Sequence, residues 1–145
     1  MVKLTHEMTP FLFLKRYGNI SAMKLMTRNF DNVPVKAEGY ESYAISTTKP
    51  QRYRDIKVLY LFAPTFDMQI EFNKTKDSDK FMGKMAAVLK QRASVIEDWV
   101  KANANNNICL LCWEVSIESC HRKMAADAIK AAGEKAGVSI TLDAE

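Results

Sequence analysis

The sequence predicts a compact, single-domain α/β fold: a mostly parallel sheet flanked by helices in a Rossmann-like three-layer arrangement. Three observations carry that expectation. Ile108 to Trp113 is an apolar run with the length and content of a buried strand. A helix-patterned stretch from about Ser119 to Lys135 follows it, and then a short apolar segment, Val138 to Leu142. Strand, helix and strand so close in sequence form a βαβ unit, whose crossover is right-handed and whose strands are parallel. Third, Met82, Met85, Ala86, Leu89, Ala93, Ile96, Trp99 and Val100 recur every three or four residues, which predicts an amphipathic helix over Ser78 to Lys101.

The remaining elements follow in chain order. Thr9 and Pro10 can open a short helix with Phe11, Leu12, Phe13, Leu14 and Tyr17 on its apolar side, and Gly18 and Asn19 can end it. Residues 1–22 are read as this extra helix or as an extension ahead of the domain, which spans residues 23–145. Lys24 to Thr27 reads as a first strand, followed by a loop to Pro34. Tyr43 to Ser46 reads as a second strand, broken by Thr47, Thr48 and Pro50. The apolar run Val58 to Ala63 fits a strand or a helix end, because periodicity cannot separate the two at that length. Thr65 to Asn73 shows helical spacing over a short span, and Lys74 to Asp79 reads as a charged loop. Ser78 or Asp79 can cap the long helix. Its Met and Trp stripe is read as core. Gly133 and Gly137 mark the end of the last helix.

The chain has 145 residues, enough for one domain with a real core at 48% apolar and 26% charged content. A net charge of +4 is compatible with an anionic partner and too weak to require one. Three cysteines, Cys109, Cys112 and Cys120, lie close together. That odd, clustered set does not resemble a secreted disulfide framework and points to a reducing, cytoplasmic setting. No apolar run approaches the length of a membrane span, so no membrane partner is expected.

Chemistry concentrates between Cys112 and Arg122. In a parallel sheet, ligands gather beyond the carboxyl ends of the strands, where Cys112, Glu114 and the turn to Cys120 belong. Cys120, His121 and Arg122 sit at the expected first turn of a helix. Unpaired amides and the helix dipole there favour an anion or a thiolate. The candidate catalytic residues are therefore Cys112, Glu114, Cys120, His121 and Arg122, with Arg122 as an anion clamp, a thiol from Cys120 or Cys112, and His121 as acid or base. Glu114 is read as a base or as a holder of Arg122, and equally as a solvated acid at a strand end.

Counting tests sharper readings. A cysteinyl phosphatase needs Cys, five residues, then Arg; the positions six beyond the three cysteines hold Val115, Glu118 and Ala126, so that reading fails. Zinc would recruit Cys109, Cys112, Cys120 and His121, but a three-residue step puts Cys109 and Cys112 on opposite faces of a strand. None of the five glycines forms a dinucleotide turn or a P-loop, so no cofactor is expected.

Leu110-Leu111-Cys112-Trp113-Glu114, then Cys120-His121-Arg122 and a small apolar helix, resembles the hallmark of the bacterial and phage family called domain of unknown function 488. Lys24 to Thr27, Tyr43 to Ser46 and Leu61 to Phe66 resemble its shorter motifs, so the resemblance covers about residues 23–142. It implies a compact α/β domain with its site at that strand-to-helix turn, and supplies no reaction. Two functions stay open. One is an enzyme-like domain with an anion or thiol site, acting on an anionic small molecule, a nucleotide or a nucleic acid. The other is a non-enzymatic nucleic-acid or protein interaction module, phage-encoded, that uses the basic cluster Lys49, Arg52, Arg54 and Lys57 around Tyr53. Nothing in the sequence sets the oligomeric state.

Overall fold

The computed structural model describes residues 21–113 and 121–144. Strands β1 (Ser21–Asn29), β2 (Glu41–Ala44), β3 (Asn107–Cys112) and β4 (Val138–Ala144) form one sheet in the order β2-β3-β1-β4. All three pairings are parallel, with Leu25 opposite Ile108 and Leu142, and Tyr43 opposite Leu110. The chain is thus an α/β protein built on a parallel sheet. β1 begins two residues ahead of the expected domain start: Ser21 and Ala22 already pair with Val138 and Ser139. The helix expected within residues 1–22 falls on residues 1–20, outside the described residues.

Alternation along the strands divides the core. Met23 and Leu25 of β1 and Ile108, Leu110 and Cys112 of β3 face one side. Helices α1 (Phe66–Thr75), α2 (Ser78–Gln91), α3 (Ala93–Ala102) and α4 (Arg122–Ala136) cover that side. They bury Met68, Met85, Leu89, Ile96, Val100 and Ile129 against it. Met26, Cys109, Leu111 and Ala44 face the other side, where Phe30, Val33, Tyr53 and Val58 cover them. Among the described residues, that second flank is loop and 3-10 turn rather than helix.

Local chemistry sets the boundaries. Thr65 caps α1 by accepting from the Met68 amide at 3.2 Å. Asp77, one residue before the expected cap, accepts from the Lys80 amide at 3.1 Å and starts α2. The expected charged loop therefore shrinks to the link between α1 and α2, where Lys76 is left-handed at φ 55°. The apolar run at Val58 becomes a single bridge from Val58 to Ala44 and a 3-10 turn, Tyr60–Phe62. Phe62 is fully buried and meets Trp99 edge-on at 5.1 Å.

The helix expected as one unit over Ser78 to Lys101 is two. It breaks at Arg92, whose φ and ψ are −89° and 6°. The guanidinium there donates Nη1 to the carbonyls of Tyr60 (3.1 Å), Leu61 (2.9 Å) and Ala63 (3.0 Å), tying the 3-10 turn to the α2–α3 joint. Burial holds this Arg below its ordinary pKa. The apolar pattern cannot register the break, because Leu89 and Ile96 stand two full turns apart and stay in phase across it.

Helix α4 carries the chain from β3 across β1 to β4. Gly137, left-handed at φ 74°, ends it. Gly133 does not mark that end; it lies inside α4, against β4. A Cβ at this position would stand 2.5 Å from Ile140 Cγ1 and 2.8 Å from the Val138 carbonyl oxygen. No helix among the described residues is long and apolar enough to cross a membrane.

Candidate functional site

The carboxyl ends of β2 and β3 open onto a cavity of about 220 Å³. The β3 end supplies Cys112 and Trp113. The segment after β2 supplies Ser46, Thr47 and Thr48, and His121 closes the inner wall ahead of α4. The α1–α2 hairpin forms the opposite wall with Gln69, Phe72, Asn73, Phe81 and Met82. This is where a parallel sheet places its ligands. The volume lies below the roughly 300–1,000 Å³ of sites for drug-sized molecules, so it suits a single small ring system or side group.

His121 is the organising residue. It is 4% exposed and stands at the position just ahead of α4, with no side-chain capping bond. Its Nε2 lies 2.6 Å from the Ile45 carbonyl oxygen, and its Nδ1 lies 3.9 Å from Cys112 Sγ. A carbonyl oxygen only accepts, so Nε2 must carry a proton. In the neutral ring Nδ1 is then the basic nitrogen, turned toward the thiol. Ile45 is itself fixed, its amide donating to the Leu111 carbonyl at 2.9 Å. Phe81 packs edge-on to the imidazole at 6.3 Å. The base is thus held by the segment just past β2, itself bonded to β3, and by α2.

Smaller contacts shape the rim. Trp113 Nε1 donates to the Thr48 carbonyl and to Thr48 Oγ1, both at 3.0 Å, and Ser46 Oγ donates to the Thr48 carbonyl at 2.6 Å. On the far wall, Glu71 Oε1 meets Lys80 Nζ at 2.6 Å and Oε2 meets Lys84 Nζ at 2.6 Å, which clips α1 to α2. Those two ammonium groups hold the Glu71 carboxyl down at about 2.

Of the five candidate residues from the sequence, the structure brings Cys112 and His121 together on the cavity wall. Arg122 is fully buried with interactions of its own in the interior, and it does not line the cavity. Glu114 and Cys120 lie outside the described residues. Cys109 packs on the opposite face of β3 from Cys112, as its spacing requires, so the two thiols cannot share one ion. Among the described residues no group of three His, Cys, Asp or Glu side chains is arranged to hold a metal.

The hydroxyls of Ser46, Thr47 and Thr48 and the amides of Gln69 and Asn73 were missed at the sequence level. They come from segments far apart in the chain, and no local spacing signals them. Two members of the basic cluster build their own loop, while Arg54 and Lys57 are exposed. Lys49 Nζ donates to the carbonyls of Arg54 and Ile56. Arg52 bonds the Phe30 carbonyl and Asp31 and lies 5.0 Å above the Tyr53 ring. A larger groove of about 340 Å³ between α2, α3 and α4 has an apolar floor of Ala86, Leu89, Ala93, Met124 and Ala128, is rimmed by Lys90, Glu97, Asp127 and Lys135, and has no Cys, His, Ser or Thr in its lining.

The α/β fold with a built cavity at its strand ends defines the class of this protein. No family model, curated protein or solved structure matches the chain.

Proposed function

We propose that this protein is a thiol-dependent enzyme domain, with Cys112 as nucleophile and His121 as its base. The observation that carries the reading is the line from the Ile45 carbonyl through the imidazole to the Cys112 sulfur, on the wall of a cavity. A base oriented by a third group and aimed at a nucleophile is the arrangement covalent catalysis uses. The N-terminal end of α4 adds partial positive charge beside the dyad, which favours a thiolate. The resemblance to the domain of unknown function 488 family supports a site at this same strand-to-helix turn.

The chemistry that follows is group transfer to water. The Cys112 proton moves to His121 Nδ1 as sulfur bonds to an electrophilic carbon of the substrate. The bond from that carbon to its leaving group breaks, and the stored proton goes to the leaving group. Water then attacks the sulfur-bound carbon, giving one proton to Nδ1 and its hydroxyl to the carbon. The Cys112 sulfur departs and recovers that proton.

The test is iodoacetamide labelling at pH 7 in a Cys120→Ser background, followed by mass spectrometry. Cys112 should react faster than glutathione, and His121→Gln should slow it by about 10²-fold. A rate no faster than glutathione, or one unchanged by His121→Gln, removes the proposal.

A further inference from the structure

Resting on the thiol-site reading above, we infer that the cavity takes a neutral nucleobase, held by its ring faces and by one hydrogen-bonding edge. The lining argues for the ring. Among the described residues no Lys, Arg, Asp or Glu lines the cavity. Among the described residues a phosphate would meet neither Lys nor Arg on this wall, and the Arg122 guanidinium is fully buried. What the wall does offer is aromatic surface, from Phe72, Phe81 and Trp113. Phe72 and Phe81 pack against each other with centroids 5.2 Å apart, so they form one fixed aromatic wall. Every base has a π-face that such a surface can hold.

The edge is read by α1. Gln69 and Asn73 stand one turn apart, and Gln69 Nε2 donates to Asn73 Oδ1 at 3.0 Å. That bond orients the two amides toward each other. It leaves Gln69 Oε1 as an acceptor and Asn73 Nδ2 as a donor, and neither makes another hydrogen bond among the described residues. An acceptor beside a donor complements the adjacent donor and acceptor on a base edge. Across the cavity the Thr47 hydroxyl, and the Thr48 hydroxyl as a donor, can serve the opposite side of the ring. A cavity of about 220 Å³ holds the ring and leaves any sugar and phosphate at its mouth. A free nucleoside and a base turned out of a nucleic-acid strand present the same ring, and both belong to the proposal.

The experiment measures binding by calorimetry and protection of Cys112 from iodoacetamide. The probes are adenosine, guanosine, cytidine, uridine, single-stranded homopolymers of the same bases, and inorganic phosphate. At least one nucleoside or homopolymer should bind saturably and slow Cys112 labelling, and phosphate should do neither. Binding by nucleosides identifies the free metabolite as the source; binding by homopolymers alone identifies the strand. Gln69→Leu with Asn73→Leu should weaken binding by 10-fold or more, with folding checked by circular dichroism. Gln69→Glu, which keeps the shape, should change which base binds best. No binding by any base probe overturns the nucleobase. If Cys112 still labels fast in that case, the thiol site stands without it; if Cys112 is also unreactive, both readings fall. Protection by phosphate alone, or a Gln69/Asn73 variant that binds as wild type does, also overturns it.

Discussion

The His121 imidazole meets the Ile45 carbonyl at 2.6 Å, a contact between residues 76 positions apart in sequence. It decides which ring nitrogen is basic, and therefore which sulfur the ring can serve. The expected outcome is a neutral His121 in the Nε2–H form, read by long-range proton–nitrogen NMR correlation at pH above its titration. A ring protonated on Nδ1 alone would contradict the contact and leave Cys112 without a base.

Arg92 makes the second prediction. One guanidinium nitrogen satisfies three carbonyls of the turn that seats Phe62. Hydrogen bonds to a charged group contribute roughly 1.5–3 kcal/mol net. Arg92→Ala should destabilise the fold by about 2 kcal/mol in urea titration. Arg92→Lys should restore only part of that, since an ammonium cannot present the same planar fork. A loss below about 0.5 kcal/mol, the size of an ordinary surface substitution, would mean the joint is set by packing alone.

The hairpin clip supplies a pH prediction. Glu71 titrates at about 2 in the fold against an ordinary 4.5. The unfolded chain therefore binds the proton first, and stability rises with pH through that window. The contribution is complete above pH 4.5 and disappears as pH falls toward about 2. The melting temperatures of wild type and Glu71→Gln should differ at neutral pH and converge at the acid end. Added salt should narrow the neutral difference, because the pair is exposed to solvent. A gap that widens on acidification would reverse the sign and refute the clip.

Gly133 yields the fourth. Alanine is the better helix former by about 1 kcal/mol. Here its Cβ would fall 2.5 Å from Ile140 Cγ1 and 2.8 Å from a backbone oxygen of Val138. Overpacking of that kind costs roughly 1–3 kcal/mol, so Gly133→Ala should lower the melting temperature despite the propensity gain. A more stable variant would show that α4 and β4 can part without penalty.

Those contacts also explain what the sequence could reveal. The parallel sheet was legible because β3, α4 and β4 each carry a period that matches their state, and Cys109 and Cys112 fell on opposite faces as a strand demands. The break at Arg92 was not legible, since it keeps apolar residues in phase and uses neither Pro nor Gly. The chemistry was half legible. Cys112 and His121 stand close in sequence and meet in space, while Arg122 beside them turns inward. One helical step redirects a side chain by about 100°, so adjacency in the chain does not assign residues to a common wall. The partners that shape the cavity, Ile45, Thr48, Gln69 and Asn73, arrive from distant segments, and their roles exist only once the chain has folded.

The two walls of the cavity belong to different parts of the molecule. Sulfur and imidazole hang from the central sheet and its closing helix, where almost any change disturbs the interior. Gln69 and Asn73 ride on a surface hairpin joined by exposed ion pairs. New guests can therefore be selected by altering outward-lying positions one at a time, while the reactive pair keeps its footing: a division of labour that lets recognition drift faster than reactivity.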